Sequence, residues 1–170
     1  MHNQVLERIS KAGVKTVKFD TGMGGGTPLY TSCDYAAALS GLSRDATAWI
    51  IYAYSNTTDP KSFNYLALQL ARVAMSVCDN VSHDFSVRIA KLAMEEHVRG
   101  FCQCKGKGCE KCLDTGVLIF SGRLRASVLR LPKTTYFNNR HDYDFIIKIL
   151  HLILSGYERD AVINITRFLS

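Results

Sequence analysis

Proline is scarce in this chain, acid is outnumbered by base, and long apolar runs are missing. Three prolines and twelve glycines in 170 residues exclude a collagen-like or low-complexity chain. The longest apolar stretch, Phe145 to Leu154, is broken by Lys148 and His151, so nothing approaches the eighteen or so apolar residues that a membrane helix needs. Glu7 and Arg8 put charge into the first turns where a secretory signal would carry its hydrophobic core, and the expectation is a cytoplasmic protein with reduced thiols. What remains is ordinary for a globular protein: 47% apolar and 21% charged residues, in a chain long enough for one buried core and a small appendage.

Four of the six cysteines fall within Phe101 to Leu113, at Cys102, Cys104, Cys109 and Cys112. A closed zinc site needs four nitrogen or sulfur ligands in a tetrahedron, and paired cysteines on a glycine-containing loop let thiolates converge without a core to hold them. The pairs are Cys-x-Cys and Cys-x-x-Cys, joined by Lys105-Gly106-Lys107-Gly108. A structural Zn²⁺ held by all four is the economical reading. Free surface thiols are one alternative and a disulfide pair another. His97 is near enough in sequence to replace one cysteine. Four thiolates would fill the shell and leave no open position for a catalytic water. Cys33 and Cys78, away from this cluster, read as small buried apolar residues.

The net charge of +6 is not evenly spread. Arg99, Lys105, Lys107, Lys111, Arg123, Arg125, Arg130, Lys133 and Arg140 face only Glu110 and Asp114 over that interval. Base concentrated around a cysteine cluster suits the neutralisation of a phosphate backbone; a solvated positive face is the plain alternative.

Along the chain, residues 1–29 read as an arm and a Gly-rich linker. Thr21 to Pro28 lacks the Gly-Lys-Ser/Thr of a phosphate loop. From residue 30 the pattern is mainly α. A short helix over Tyr35 to Leu39 ends at Gly41, and Ser43 caps a second through Tyr54. This pair has the outline of a helix-turn-helix, but Trp49, Ile50, Tyr52 and Ala53 are too apolar for a groove reader and belong to a core. Asp59-Pro60 opens a third helix to about Cys78. Ser82 or Asp84 caps a fourth, with Phe85, Ile89, Leu92, Ala93 and Val98 inward and Arg88, Lys91, Glu95 and Glu96 outward. Beyond the cysteines, Val117 to Phe120 reads as a short strand. Ser121 caps a helix to Leu131, with Leu124, Val128 and Leu131 on its apolar face. Arg123, Ser127 and Arg130 point elsewhere, and Arg125 sits at the boundary. That helix is a groove reader or a solvated surface helix. Tyr136 to His141 reads as a turn, Asp142 to Leu154 as a helix, Ser155-Gly156 as a turn, and Arg159 to Leu169 as a last helix.

In order and spacing, several segments resemble the late-gene antitermination protein Q family of lambdoid phages. They are Asp34-Tyr-Ala-Ala-Ala-Leu-Ser-Gly-Leu, Phe63-Asn-Tyr-Leu, Cys102-Gln-Cys-Lys-Gly-Lys-Gly with Cys109-Glu-Lys-Cys112, and Asn164-Ile-Thr-Arg167. The resemblance covers about Tyr30 to Ser170. It implies a compact helical DNA-binding domain with a small four-cysteine zinc knuckle, over residues 101–120, inserted in a helix-turn-helix-like unit made of Asp84 to Val98 and Ser121 to Leu131. The family's first pair is Cys-x-x-Cys, so Cys102-x-Cys104 departs from the pattern. The implied partners are double-stranded DNA at a late promoter and host RNA polymerase with its sigma factor, and the implied activity is read-through of terminators. On this reading Lys105, Lys107 and Lys111 contact phosphates, Arg123, Arg125 or Arg130 read bases, and Ser127 and Lys133 complete the surface.

An activator acting only at initiation would share these features. A small zinc-stabilised nuclease would need a carboxylate or histidine cluster, and His83, Asp84, His97, His141, Asp142 and Asp144 have no spacing that specifies one; the chain is expected not to be an enzyme. Elemental analysis of the purified protein is expected to find one zinc per chain, lost when Cys102, Cys104, Cys109 and Cys112 are all changed to serine.

Overall fold

A computed structural model describes residues 37–54, 60–78, 81–99 and 120–169. The N-terminal arm and linker, Cys33, Val117 to Ile119, the four clustered cysteines and Lys105, Lys107 and Lys111 lie outside these residues. The described chain is mainly helical and contains no strand. After a helical turn at 37–40 come α1 (Arg44–Tyr54), α2 (Pro60–Val77), α3 (His83–Arg99), α4 (Gly122–Val128), α5 (Lys133–Asn138) and α6 (Arg140–Leu169). None of these helices is long and apolar enough to cross a membrane.

Local chemistry accounts for the helix starts. Ser43 Oγ accepts the Ala46 N–H at 3.2 Å, Ser82 Oγ accepts that of Phe85 at 3.4 Å, and Ser121 Oγ accepts that of Leu124 at 3.4 Å. Each satisfies a donor that the first helical turn would otherwise leave unpaired. Pro60 opens α2, where its missing N–H costs nothing.

The described residues divide into two compact units. One holds those up to Tyr65 with those from Ser155 onward. Here Ala46, Ala48, Trp49 and Ile50 of α1 are buried, in agreement with a core helix. Glu158 is also buried, and it accepts hydrogen bonds from Trp49 Nε1 at 3.2 Å and the Tyr54 hydroxyl at 2.8 Å. Burial, followed by the charge and hydrogen bond of Glu158, pushes the Tyr54 phenol far above its usual range. Tyr65 donates to Asp45 at 2.7 Å while the Arg44 guanidinium lies over its ring, 4.5 Å from the centroid.

The second unit runs from Leu66 to Leu154. Its α3 is buried around most of its circumference, through Phe85, Ser86, Ile89, Ala90, Leu92, Ala93, Met94, Glu96 and His97. In α4 and its C-cap the inward residues are Arg125, Ala126 and Leu129, and Leu124 is 45% exposed. The apolar face expected at Leu124, Val128 and Leu131 is therefore rotated by about one position. Glu96, expected outside, is fully buried.

Two expected turns are helical. Tyr136 to His141 is α5 followed, after Asn139, by the start of α6, with the Tyr136 N–H on the Pro132 carbonyl at 3.0 Å. Ser155-Gly156 does not interrupt α6, because its inward positions Leu150, Leu154, Glu158, Ala161 and Ile165 keep a spacing of three and four straight through the glycine. A Cβ on Gly156 would meet nothing within 4 Å. Glycine inside a helix costs about 1 kcal/mol relative to alanine. Gly156→Ala is accordingly expected to stabilise the protein by that amount, read as a rise in melting temperature of about 2–4 °C.

Candidate nucleic-acid interface

The surface of α4 is set by what lies beneath it. Arg125 is 6% exposed and Glu96 is not exposed at all. The guanidinium meets the carboxylate as a fork, Nε donating to Oε1 at 2.7 Å and Nη2 to Oε2 at 2.8 Å. Its third nitrogen, Nη1, donates to Asp144 Oδ1 at 2.6 Å. The Tyr136 hydroxyl donates to the same oxygen at 2.9 Å, and Arg140 Nε to Asp144 Oδ2 at 3.0 Å. Two carboxylates and two guanidiniums thus balance, and each carboxylate oxygen has a donor. This is the condition under which charge can be buried at all.

Glu96 gathers two more donors. The Phe120 backbone N–H reaches Oε1 at 3.1 Å, and His151 Nε2 lies 3.1 Å from Oε2. An ionised carboxylate only accepts, so His151 carries its proton on Nε2. The two Nδ1 atoms of His151 and His97 stand 3.1 Å apart with the rings stacked, which requires a proton between them. The bond from Phe120 has a topological meaning. The described chain leaves α3 at Arg99, and Phe120 hydrogen-bonds back to Glu96, one turn earlier on that helix.

A second contact fixes the other end of α4. Arg88 of α3 donates to the Leu129 carbonyl at 2.9 Å, where a helix C-terminus favours positive charge, and pairs with Asp84 at 3.0 Å. Its Nε is buried with no hydrogen-bond partner. Leu131 N–H returns to the Ala126 carbonyl and Arg130 N–H to that of Ser127, the paired bonds of a Schellman cap. Arg130 occupies the position where glycine is usual, with φ at 56°. A side chain there carries a conformational cost of about 1 kcal/mol.

With both ends held, α4 turns Arg123, Leu124 and Ser127 outward, and Arg130 and Lys133 follow on the exposed side. Among the described residues the side chains of Arg123, Ser127, Arg130 and Lys133 make no hydrogen bond or ion pair. Arg125 is a correction: the sequence makes it a candidate base reader, and its guanidinium is consumed inside the protein. Of the histidines and acids considered for a nuclease, His141 and Asp142 lie 3.5 Å apart, and others are drawn into separate contacts. Asp84 pairs with Arg88, Asp144 with the two arginines, and His97 with His151. Among the described residues no group of three or more such side chains is arranged to hold a metal ion. Compared with known family models, curated proteins and solved structures, the chain matches none.

Burial by itself raises the Glu96 carboxyl, but the hydrogen bonds from His151 and Arg125, with the Arg125 charge, outweigh it and hold the group below its usual 4.5. A carboxyl depressed in the folded state adds stability above its unfolded value and forfeits it as the pH falls through the folded one. Acid unfolding is thus expected to begin below about pH 4.5 and to lose this component in Glu96→Gln. Arg125→Met strips the buried Glu96 carboxylate of its guanidinium and is expected to cost about 3–5 kcal/mol in denaturant titrations, and Glu96→Gln, which leaves Arg125 its bond to Asp144, is expected to cost less. The double variant should cost less than the sum of the two.

Proposed function

We propose that the chain is a phage-type transcription antitermination factor that binds duplex DNA at a late promoter through the outer face of α4 and acts with RNA polymerase to pass terminators. The observation that carries the DNA part is the division of labour within α4. Arg125 is spent inward on Glu96 and Asp144, and this leaves Arg123, Ser127 and Arg130 unpaired on the opposite side. Arg123 and Ser127 are one helical turn apart, a spacing that lets both reach one major groove, where arginine reads guanine and serine reads several bases. Leu124, exposed beside them, offers an apolar contact to a thymine methyl. Lys133 adds a cation for the backbone.

The polymerase part and the structural zinc rest on the resemblance and on the cysteine spacing. The hydrogen bond from Phe120 back to Glu96 fits an insertion between the packed helices α3 and α4. Lys105, Lys107 and Lys111, on that insertion, would supply phosphate contacts.

Binding to a late-promoter duplex and to unrelated duplexes is the test. Arg123→Ala is expected to cost about 1–3 kcal/mol on the specific site and much less elsewhere. Arg130→Gly separates contact from fold: it should raise stability by about 1 kcal/mol by relieving the backbone while weakening DNA binding. Equal losses on all DNA would remove base reading from α4. Transcription through a terminator, with and without the protein, tests the remainder; stimulated initiation without read-through would make it an initiation activator.

A further inference from the structure

An open groove of about 620 Å³ lies at the junction of α5 and α6. Phe137 and Phe145 line it together with Arg140, His141 and Lys148. Both rings are large apolar groups facing water, Phe137 at 46% and Phe145 at 53% exposure. Phe137 is held in place. Tyr136 meets it edge-on at 5.6 Å, and a Cβ on Gly122 would come within 3.2 Å of its ring. Phe145 has no aromatic partner among the described residues. His141, Phe145 and Lys148 follow one another at four and three along α6 and so share one face. The acid in the groove, Asp144, is already engaged by Arg125, Arg140 and Tyr136.

We infer that this groove binds a single strand of DNA, with bases stacked on Phe137 and Phe145 and phosphates met by Lys148, by His141 and by the Arg140 nitrogens that Asp144 does not hold. Stacking platforms interleaved with cations are what single-strand binding requires, and they tolerate sequence because every base has a π face. The apolar members here are two planar rings beside cations, in a groove open to solvent. An amphipathic peptide helix would call for a continuous aliphatic trench. The choice of DNA rests on the reading of α4 as the duplex-facing helix. Phe137 occupies the space that a Cβ on Gly122, the first residue of α4, would need, so a strand parted from a duplex held by Arg123 and Ser127 meets the groove next.

The intact protein titrated with a fluorescent twelve-nucleotide deoxythymidine strand tests this without any duplex. Saturable binding is expected, weakened about tenfold by Phe145→Ala, a change on an exposed side chain that should leave the melting temperature in place. Lys148→Gln should lower the salt slope by about 0.7. Arg123→Ala should leave strand binding unchanged, and if duplex recognition by α4 fails while ring-dependent strand binding persists, the groove assignment is supported. Absence of binding, or equal binding by Phe145→Ala and Phe137→Ala, would overturn it. Tighter binding of a uridine ribonucleotide strand would overturn the assignment to DNA, and capture of an acidic leucine-rich peptide in place of the oligonucleotide would make the groove a protein-docking site.

Discussion

Everything described around α4 depends on one forked contact between Arg125 and Glu96. Neither group could be buried alone, since each would face a desolvation cost of several kcal/mol. Together, with Asp144 and Arg140 completing the charge balance, they become a rigid joint between helices whose partners stand 29 residues apart in the chain. A purely apolar contact between α3 and α4 would allow small rotations of a two-turn helix. A fork with three directed bonds from one guanidinium does not. The orientation of Arg123 and Ser127 is therefore a product of electrostatics inside the unit and not of the short helix itself.

Much of the helical frame is legible without any coordinates. The caps at Ser43, Ser82 and Ser121, the proline at the start of α2 and the buried Trp49 follow from rules that act within four or five residues. What is not legible involves long-range pairing. Glu96 occupies a position three and four residues beyond Ala93 and Leu92, on the same stripe as Phe85 and Ile89, and Arg125 stands four before Leu129. Charge type argues for the surface and periodicity for the core; periodicity is right at Glu96, while at Arg125 the apparent stripe of Leu124, Val128 and Leu131 points away from the face that is buried. Glu158 repeats the pattern in the other unit, on the stripe of Leu154 and Ala161. A charged residue in step with an apolar stripe is thus the signal that the sequence does carry and that charge type masks. Gly156 misleads for the related reason that a local breaker outweighs, on paper, a period that continues past it.

The same pairing changes how the positive charge of this chain should be counted. Arg88, Arg125 and Arg140 are basic residues by composition, yet each is tied to an acid within its own unit. Arg123, Arg130, Lys133 and Lys148, by contrast, face solvent without an ion pair among the described residues. Between Arg123 and Lys148, with the paired groups set aside, the described positive charge contracts to the outer side of α4 and the rim of the α5–α6 groove.

The hydrogen bond from Phe120 to Glu96 joins two residues 24 apart in the sequence and so closes a span of chain at one carboxylate. Any link formed between two points within such a span shortens the length that the carboxylate has to close, and so lowers its entropic cost. The carboxylate, by closing the span first, does the same for the link. Thermodynamic linkage makes the two benefits equal. Any link within that span and the ion pair at its base would then stabilise each other by the same factor, although no atom of one need touch the other.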